Sequence, residues 1–100
     1  MTARPETREQ ERRDPFQALA DPRRRLILEV LAAGPRDVGE LAQRCGLPRP
    51  LTAHHLGVLQ RAGLVQVRLR CAAVRPEQLA ELRRYFDEAL TSAAISSPDA

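Results

Sequence analysis

Residues 37–65 read DVGELAQRCGLPRPLTAHHLGVLQRAGLV, and the helix signals in this stretch decide the fold. Asp37 is a preferred N-cap residue, and a helix that starts there ends at Gly46, a typical C-terminal stop. Leu47-Pro48 then makes a tight turn, and a second helix is predicted from about Pro50 to Ala62. The stretch therefore predicts two helices joined by a turn of three or four residues.

The flanking sequence adds two helices before this pair, then a β-hairpin and a last helix. Asp14-Pro15 and Asp21-Pro22 each combine an N-cap residue with proline at the first helical position. Apolar residues alternate with polar ones from Leu64 to Arg70, which is strand spacing, and residues 71–75 return as a second strand. Pro76 opens a last helix to about Ala94. We predict a mainly α domain of five helices and a short β-hairpin over residues 14–94, a disordered arm over 1–13 and a disordered tail over 95–100.

This order of elements matches a winged helix-turn-helix, in which the second helix of the pair lies in the DNA major groove. Arginine there suits guanine, a histidine N–H suits a base acceptor and an alanine methyl suits thymine. For His55 the residue pattern leaves a packing or capping role open, and metal chelation by the adjacent pair His54 and His55 is disfavoured. The predicted DNA-binding residues are Arg49, Pro50, Thr52, Ala53, His54, His55, Arg61, Arg68 and Arg70.

The charge distribution agrees with a nucleic-acid partner. All 16 basic residues are arginine, and the formal net charge of the 100-residue chain is +3. The span from Arg36 to Arg75 holds seven arginines and two acids, a net +5, whereas nine arginines and eleven acids elsewhere give −2. The middle of the chain is thus the part suited to phosphate, although a solvated basic face without a ligand has the same composition.

The last helix carries apolar residues at alternating steps of three and four. This heptad-like seam suits packing against another helix. A chain of this size gains stability by dimerising, and we expect the first and last helices to form a dimer interface, although the seam also suits the monomer's own core. The predicted interface residues are Phe16, Leu19, Leu79, Leu82, Phe86, Ala89 and Ala93.

Two segments carry a family resemblance: FQALADPRRRLILEVL at 16–31 and GELAQRCGLPRPLTAHHLGVLQRAGLV at 39–65. Together they resemble the ArsR/SmtB family of winged-helix repressors. The resemblance implies a dimer built from the first and last helices, operator binding that blocks transcription, and release by an effector. Three departures concern the ligand sites and the wing. Asp37-Val38-Gly39 replaces the Cys-Val-Cys of metalloid sensors, the last helix has no histidine beside Asp87 and Glu88, and the hairpin lacks a glycine tip and an aromatic residue. We therefore predict no metal, no cofactor and a shortened wing.

The two cysteines and the arginine run have simpler interpretations. Cys45 lies on the apolar face of its helix and is expected to be a small buried residue. Cys71 lies between Arg70 and Arg75, whose charges favour a reactive thiolate, so a redox switch at Cys71 is one hypothesis. We expect residues 23–25 to be a solvated helix start, with Arg25 pairing to Glu29; a nucleic-acid patch is the alternative.

The remaining features exclude several classes of protein. No stretch reaches the roughly 18 apolar residues of a membrane span, no signal peptide is recognised, and unpaired cysteines are typical of reducing cytoplasm. No nucleophile–base pair stands out, so an enzyme is not predicted. We predict a sequence-specific DNA-binding transcriptional regulator, a dimeric repressor on an imperfect palindrome, with an unidentified small-molecule or redox effector. The alternative is a winged-helix module that docks protein and does not read DNA.

Overall fold

The computed structural model describes residues 14–96, with side chains over 14–94, as five helices and three short strands. The predicted arm over 1–13 lies outside the described residues. The prediction of a disordered tail over 95–100 is wrong at residues 95 and 96, where the last helix continues. Residues 97–100 lie outside the described part of the chain. The elements in chain order are α1 (Pro15–Ala18), α2 (Pro22–Ala32), β1 (Arg36–Asp37), α3 (Val38–Cys45), α4 (Arg49–Arg61), β2 (Val65–Arg68), β3 (Cys71–Val74) and α5 (Pro76–Ser96).

An aspartate precedes each of the first three helices and caps it. The carboxylates of Asp14, Asp21 and Asp37 each accept the backbone N–H two residues further on, at 2.8–2.9 Å. A side-chain cap of this kind satisfies one of the N–H groups that a helix start leaves unpaired. Gly46 ends α3 in the left-handed conformation, with φ 66°. These signals are local, and the predicted helix starts and stops agree closely with the structure for that reason.

The sheet has three antiparallel strands in the order β1-β3-β2, one strand more than the predicted hairpin. In β1, Arg36 pairs with Ala72 and Asp37 pairs with Cys71. The backbone N–H of Val38 also donates to the carbonyl of Arg70 at 2.9 Å. A two-residue strand is too short to show alternation, so the prediction of a plain hairpin was incomplete. Strand β1 therefore connects the start of α3 to the hairpin by backbone hydrogen bonds.

The hairpin of β2 and β3, here called the wing, turns within two residues. Arg68 faces Cys71 in register, and Leu69 and Arg70 form the connection. Both connecting residues have positive φ, 50° and 66°. A two-residue connection of this hand requires such angles at both positions. The predicted strand through Arg70 is therefore wrong at its last two residues, which form the tip, whereas the expectation of a short wing agrees with the structure.

One core of aliphatic residues joins the helices to the sheet. α2 contacts β3, and α4 contacts β2. As the low aromatic content predicts, Leu, Ile, Val and Ala fill this space. Its most buried members are Ala18, Ile27, Leu31, Leu41, Leu56, Leu59, Leu64, Val65 and Ala72.

α5 packs on this core only near its start. Leu79 and Leu82 are partly buried against the core, whereas residues 83–94 are all exposed. The helix has 21 residues and is therefore about 30 Å long, at a rise of about 1.5 Å per residue. Over residues 83–94 the described part of the chain leaves the side chains of α5 exposed.

Candidate DNA interface

α4 presents one continuous exposed face along its whole length. Its inward residues follow helical spacing and are buried: Thr52, His55, Leu56 and Leu59. The outward residues, here called the α4 stripe, are Arg49, Pro50, Ala53, His54, Gly57, Gln60 and Arg61; Gly57 is half-buried and the others are exposed. A helix held this way leaves its first turn and its full outer face open to a partner.

Two of the predicted DNA contacts do not lie on this face. Thr52 is 0 % exposed, and its Oγ1 donates to the Pro48 carbonyl at 3.0 Å. His55 is 2 % exposed. The predicted DNA contacts of both residues are therefore wrong, because they fall at the helical phase of Leu56 and Leu59. His55 takes the packing role that the sequence left open.

His55 instead connects α4 to the turn between α1 and α2. The Nη1 of Arg24 lies 3.3 Å from His55 Nδ1, and the Nε of Arg24 donates to the carbonyl of Ala18. Since arginine only donates, this geometry makes Nδ1 the acceptor and leaves the ring proton on Nε2. His55 Nε2 is buried and has no hydrogen-bond partner among the described atoms. Burial lowers the pKa of His55, while the nearby Asp21 carboxylate opposes that shift. The neutral ring is thus the form that fits the fold.

The arginine run at 23–25 stabilises this turn and is not a free basic patch. Arg23 pairs with Asp21 at 2.9 Å and holds the pKa of that carboxyl well below its usual range. Arg25 donates through Nη1 to the carbonyls of Leu19 and Ala20 at 2.7 and 3.2 Å. Among the described residues no ion pair joins Arg25 to Glu29, so that expectation is wrong. The nucleic-acid alternative stays untested, although these guanidinium groups are mostly committed to the turn.

Arg49 lies across the start of α3. A β-carbon built on Gly39 would lie 2.7 Å from Nη2 of Arg49 and 3.0 Å from Oδ2 of Asp37. The bare backbone at Gly39 therefore makes room for this guanidinium. Arg49 sits in a cleft of about 520 Å³ that joins the first turn of α4 to the wing. The cleft is lined by Asp37, Val38, Gly39, Arg49, Pro50, Ala53, Val67 and Arg70.

The described arginines differ in whether a carboxylate lies close to them. Six have a carboxylate oxygen within 4.0 Å: Arg23, Arg24, Arg36, Arg44, Arg75 and Arg83. Within residues 14–96 no such pair forms at the four predicted DNA contacts, which are the exposed Arg49, Arg61, Arg68 and Arg70. Charges left without a counter-ion on α4 and the wing create a positive surface suited to phosphate.

The two cysteines differ in exposure. Cys45 is half-buried, and burial raises the pKa of its thiol, which agrees with an unreactive packing role. Cys71 is exposed and stands opposite both Arg68 and Asp37 in the sheet register. The carboxylate of Asp37 is a neighbour that the sequence spacing did not show. The redox hypothesis for Cys71 stays a prediction.

The described part of the chain offers neither a cluster of metal ligands nor a membrane-spanning helix. No group of three His, Cys, Asp or Glu side chains is gathered between residues 14 and 94. No helix in the same part combines the length and the apolar character needed to cross a bilayer.

The predicted dimer seam divides into a covered half and an exposed half. Leu19, Leu79 and Leu82 pack against the chain's own core, as the monomer alternative expected. Phe86, Ala89 and Ala93 are exposed. Phe86 belongs to an aromatic patch that the seam alone did not reveal, since Tyr85 and Leu90 flank it on α5. The patch consists of Phe16, Tyr85, Phe86 and Leu90, exposed by 42 %, 55 %, 48 % and 69 %.

The patch is ordered by ring contacts between α1 and α5. The centroid of Phe16 lies 5.1 Å from that of Tyr85 and 5.8 Å from that of Phe86, within the range of favourable aromatic pairs. Four large apolar side chains left this exposed in one place are unusual on a monomeric surface and mark an interaction site.

A helix-turn-helix with an exposed second helix, a small sheet and a wing defines a winged helix-turn-helix DNA-binding regulator. The sequence profile described as "Bacterial regulatory protein, arsR family" matches residues 21–67. HTH-type transcriptional regulator Rv2034 of Mycobacterium tuberculosis is 45% identical over 87 residues, which cover 79% of this chain and 81% of that protein. The chain therefore belongs to the arsR family of bacterial regulatory proteins and is related to transcriptional regulators.

Two further proteins are similar to this chain, one in sequence and one in fold. Transcriptional repressor SdpR of Bacillus subtilis is 36% identical over 50 residues, which are 50% of this chain and 56% of that protein. The homodimeric winged helix-turn-helix DNA-binding domain Mb0332 of Mycobacterium bovis, solved by NMR, superposes with a TM-score of 0.65 at 24% identity. That superposition covers 93% of this chain and 92% of the other, and it shows the same fold. None of these proteins favours the alternative of a module that only docks protein.

Proposed function

We propose that this regulator represses transcription by binding an imperfect palindrome in duplex DNA as a homodimer. The observation that carries the proposal is the coincidence of two features. The exposed face of α4 and the neighbouring wing hold four of the six described arginines that have no carboxylate partner among the described residues, and the other two are Arg25 and Arg84. An exposed recognition helix bordered by free guanidinium groups is complementary to a groove bordered by phosphates.

The two ends of α4 take different roles in this proposal. Arg49, Ala53 and His54 lie in its first turns, where side chains reach base edges in the major groove. Arg61 stands twelve residues after Arg49, about 18 Å along the helix axis. Because the N-terminal residues of a recognition helix are the ones that meet base edges, we assign Arg61, at the other end of α4, to a flanking phosphate. Arg68 and Arg70 contact phosphates from the wing.

The decisive experiment selects bound sequences from a random duplex pool and then compares Arg49→Ala with Arg44→Ala. Both arginines are exposed, but Arg44 lies on α3 and pairs with Glu40 at 3.1 Å. For Arg49→Ala we expect a loss of about 1–3 kcal/mol on the selected site and a relaxed sequence preference. Arg68→Ala should weaken selected and random duplexes alike. A pool that yields no enriched motif and no salt-sensitive binding would contradict the proposal.

Dimerisation through α1 and α5 follows from the aromatic patch. We expect an apolar partner surface to bury the patch. In a two-fold dimer the same patch of the second copy is that surface, because both copies use the same residues. Two recognition helices related in this way read half-sites about 34 Å apart, one turn of duplex. Phe16, Tyr85, Phe86 and Leu90 form the centre of the proposed interface, with Ala89 and Ala93 extending it along α5.

An effector acting through Cys71 is part of the same proposal. The thiol is exposed at the end of the wing that faces β1, so its oxidation would alter a surface next to Arg68 and Arg70. The test is a DNA-binding titration before and after mild oxidant for the wild type and for Cys71→Ser. A Cys71→Ser protein that keeps the full oxidant response would remove Cys71 from this role.

A further inference from the structure

Arg24 lies where three helices meet, and only 14% of its side chain is exposed. It belongs to α2, yet its donors reach two other helices. Its Nε donates to the carbonyl of Ala18 in α1, and its Nη1 lies 3.3 Å from Nδ1 of His55 in α4. Its Nη2 lies 3.5 Å from the carbonyl of Gln17, also in α1. A guanidinium holds its N–H donors in a rigid planar fork, so these contacts favour one orientation of α1 relative to α4.

The acceptors of Arg24 are in a part of the fold that is closed to solvent. Ala18 is 1% exposed and His55 is 2% exposed. The carboxylate of Asp21 lies 3.8 Å from Nη1 of Arg24 and adds an opposite charge that holds the guanidinium in place. A polar group left unpaired at a buried position is costly, and hydrogen bonds are directional where apolar packing is not. Arg24 therefore constrains the angle between the helices more sharply than the surrounding apolar contacts do.

The same short helix also reaches the aromatic patch. α1 has four residues, and it carries both Ala18 and Phe16. The ring of Phe16 contacts Tyr85 and Phe86 of α5, with centroid distances of 5.1 and 5.8 Å. A path of direct contacts thus runs from the aromatic patch through α1 and Arg24 to the buried side of α4.

We propose that Arg24 is a positioning residue that sets the spacing of the two DNA half-sites read by the dimer. In the proposed dimer, α1 and α5 form the interface and α4 reads the groove. The angle between α1 and α4 then decides where each recognition helix stands relative to the two-fold axis. Arg24 acts through His55 and needs no contact with DNA. The inference rests on the proposed function, which it deepens by assigning spacing specificity to a residue away from the α4 stripe.

The test compares Arg24→Gln with Arg25→Gln on duplexes that hold the selected half-sites at different spacings. Arg25 is the matched control, because it donates to carbonyls in the same turn and forms no hydrogen bond to α4 among residues 14–94. One inserted base pair turns a half-site by about 34° and shifts it by about 3.4 Å. On that duplex, wild type and Arg25→Gln should lose about tenfold in affinity, and Arg24→Gln should lose less than about threefold. All three proteins should bind a duplex with one half-site equally well.

Two variants of His55 examine the same contact from the side of α4. His55→Leu removes the acceptor and keeps an apolar side chain, so it should relax the spacing preference as Arg24→Gln does. The double variant should relax it no further, because both changes break one contact. The amide oxygen of His55→Asn can accept from Arg24 in place of Nδ1, and this variant should keep the wild-type preference. Circular dichroism checks that each protein is folded, and the two His55 variants supply the comparison if Arg24→Gln does not fold.

The possible outcomes separate this inference from the proposed function. An equal spacing preference in wild type, Arg24→Gln and His55→Leu would overturn the inference and leave the proposed function intact. An equal loss at every spacing and on one half-site would assign Arg24 to fold stability alone, and it would overturn the inference as well. A wild type that binds two half-sites no better than one would overturn the proposed dimeric function together with this inference.

Discussion

Gly57 stands in the middle of the α4 stripe, and replacing it by alanine should stabilise the protein while weakening its binding to DNA. Glycine inside a helix costs about 0.5–1 kcal/mol relative to alanine, because more backbone freedom is lost on folding. No close contact among the described residues requires that cost. The atoms nearest to a β-carbon on Gly57 would be those of the Arg61 guanidinium, at 3.4–3.9 Å. That group is the flexible end of a long exposed side chain.

The magnitude follows from these contacts. Because the nearest neighbour of the new methyl is the end of a flexible side chain at ordinary van der Waals distance, Gly57→Ala should recover most of the helix penalty. For a domain of this size, about 0.5–1 kcal/mol corresponds to a rise in Tm of roughly 2–8 °C. The same methyl projects from the centre of the stripe, one helical turn from both Ala53 and Arg61. It would hold the helix away from the groove floor, and we expect a loss in operator affinity of about three- to tenfold, or 0.7–1.4 kcal/mol.

The assay pairs thermal unfolding, followed by circular dichroism, with a mobility-shift titration on the selected operator. Thr91→Ala is the matched control, since it places the same residue on an exposed helical position of α5, away from α4. The control should leave DNA affinity unchanged. A Gly57→Ala protein with a lower Tm than wild type would refute the inference that α4 accommodates the added methyl. Higher Tm with wild-type affinity would show that DNA does not approach α4 closely at Gly57.

Three further predictions address other parts of the molecule. Folding stability should fall as pH is lowered from about 7, because the unfolded chain protonates His55 near its ordinary pKa of about 6.5 while burial lowers the pKa of the folded form. When Tm is measured at pH values from 8 to 5.5, the Tm of His55→Asn should change less with pH than the Tm of wild type. An equal change in both proteins would assign the pH dependence of stability to other groups. Gly39→Ala should displace Arg49 and lower operator affinity, yet it should add nothing in an Arg49→Ala background, and additive losses would contradict their coupling. Phe86→Asp should convert a dimer to monomers in sedimentation equilibrium without a loss of helical content, and an unchanged mass would exclude the aromatic patch as the interface.

The sequence was most informative where structure depends on neighbours along the chain. Asp37 and Gly46 delimit α3 by interactions within a few residues, so both ends were predictable. Strand β1 was not, because it has two residues and its partner β3 lies more than thirty positions away. Arg24 was missed for a similar reason. Its donors meet a carbonyl in the α1–α2 turn and the ring of His55 on α4, and only the tertiary arrangement brings these acceptors together.

The errors in α4 had a different origin, because the needed signal was present. Thr52, Leu56 and Leu59 follow one another by four and three residues, and His55 shares their face, so helical phase alone assigns all four to the interior. The polar side chains of Thr52 and His55 suggested DNA contact, although their helical phase places them inside. The remaining arginines of α4 and the wing could be identified as candidates from composition, but their lack of carboxylate partners became visible only when the other side chains were placed.

The tip of the wing is the place where local preference and observed structure disagree most. Leu69-Arg70 lacks the glycine or asparagine that a two-residue connection favours, so the sequence contained no turn signal and the strand was extended through both residues. In most of the described chain, caps, helix phase and packing agree with one another, as expected for a sequence that specifies one fold. A conflict at two exposed residues beside the α4 stripe is therefore better explained by a partner than by the fold. Gly57 shows a similar conflict within α4, since glycine weakens the helix and no close contact among the described residues requires glycine there. Both positions lie on the surface that carries Arg49, Arg61, Arg68 and Arg70, so three independent features converge on the side that we propose faces DNA.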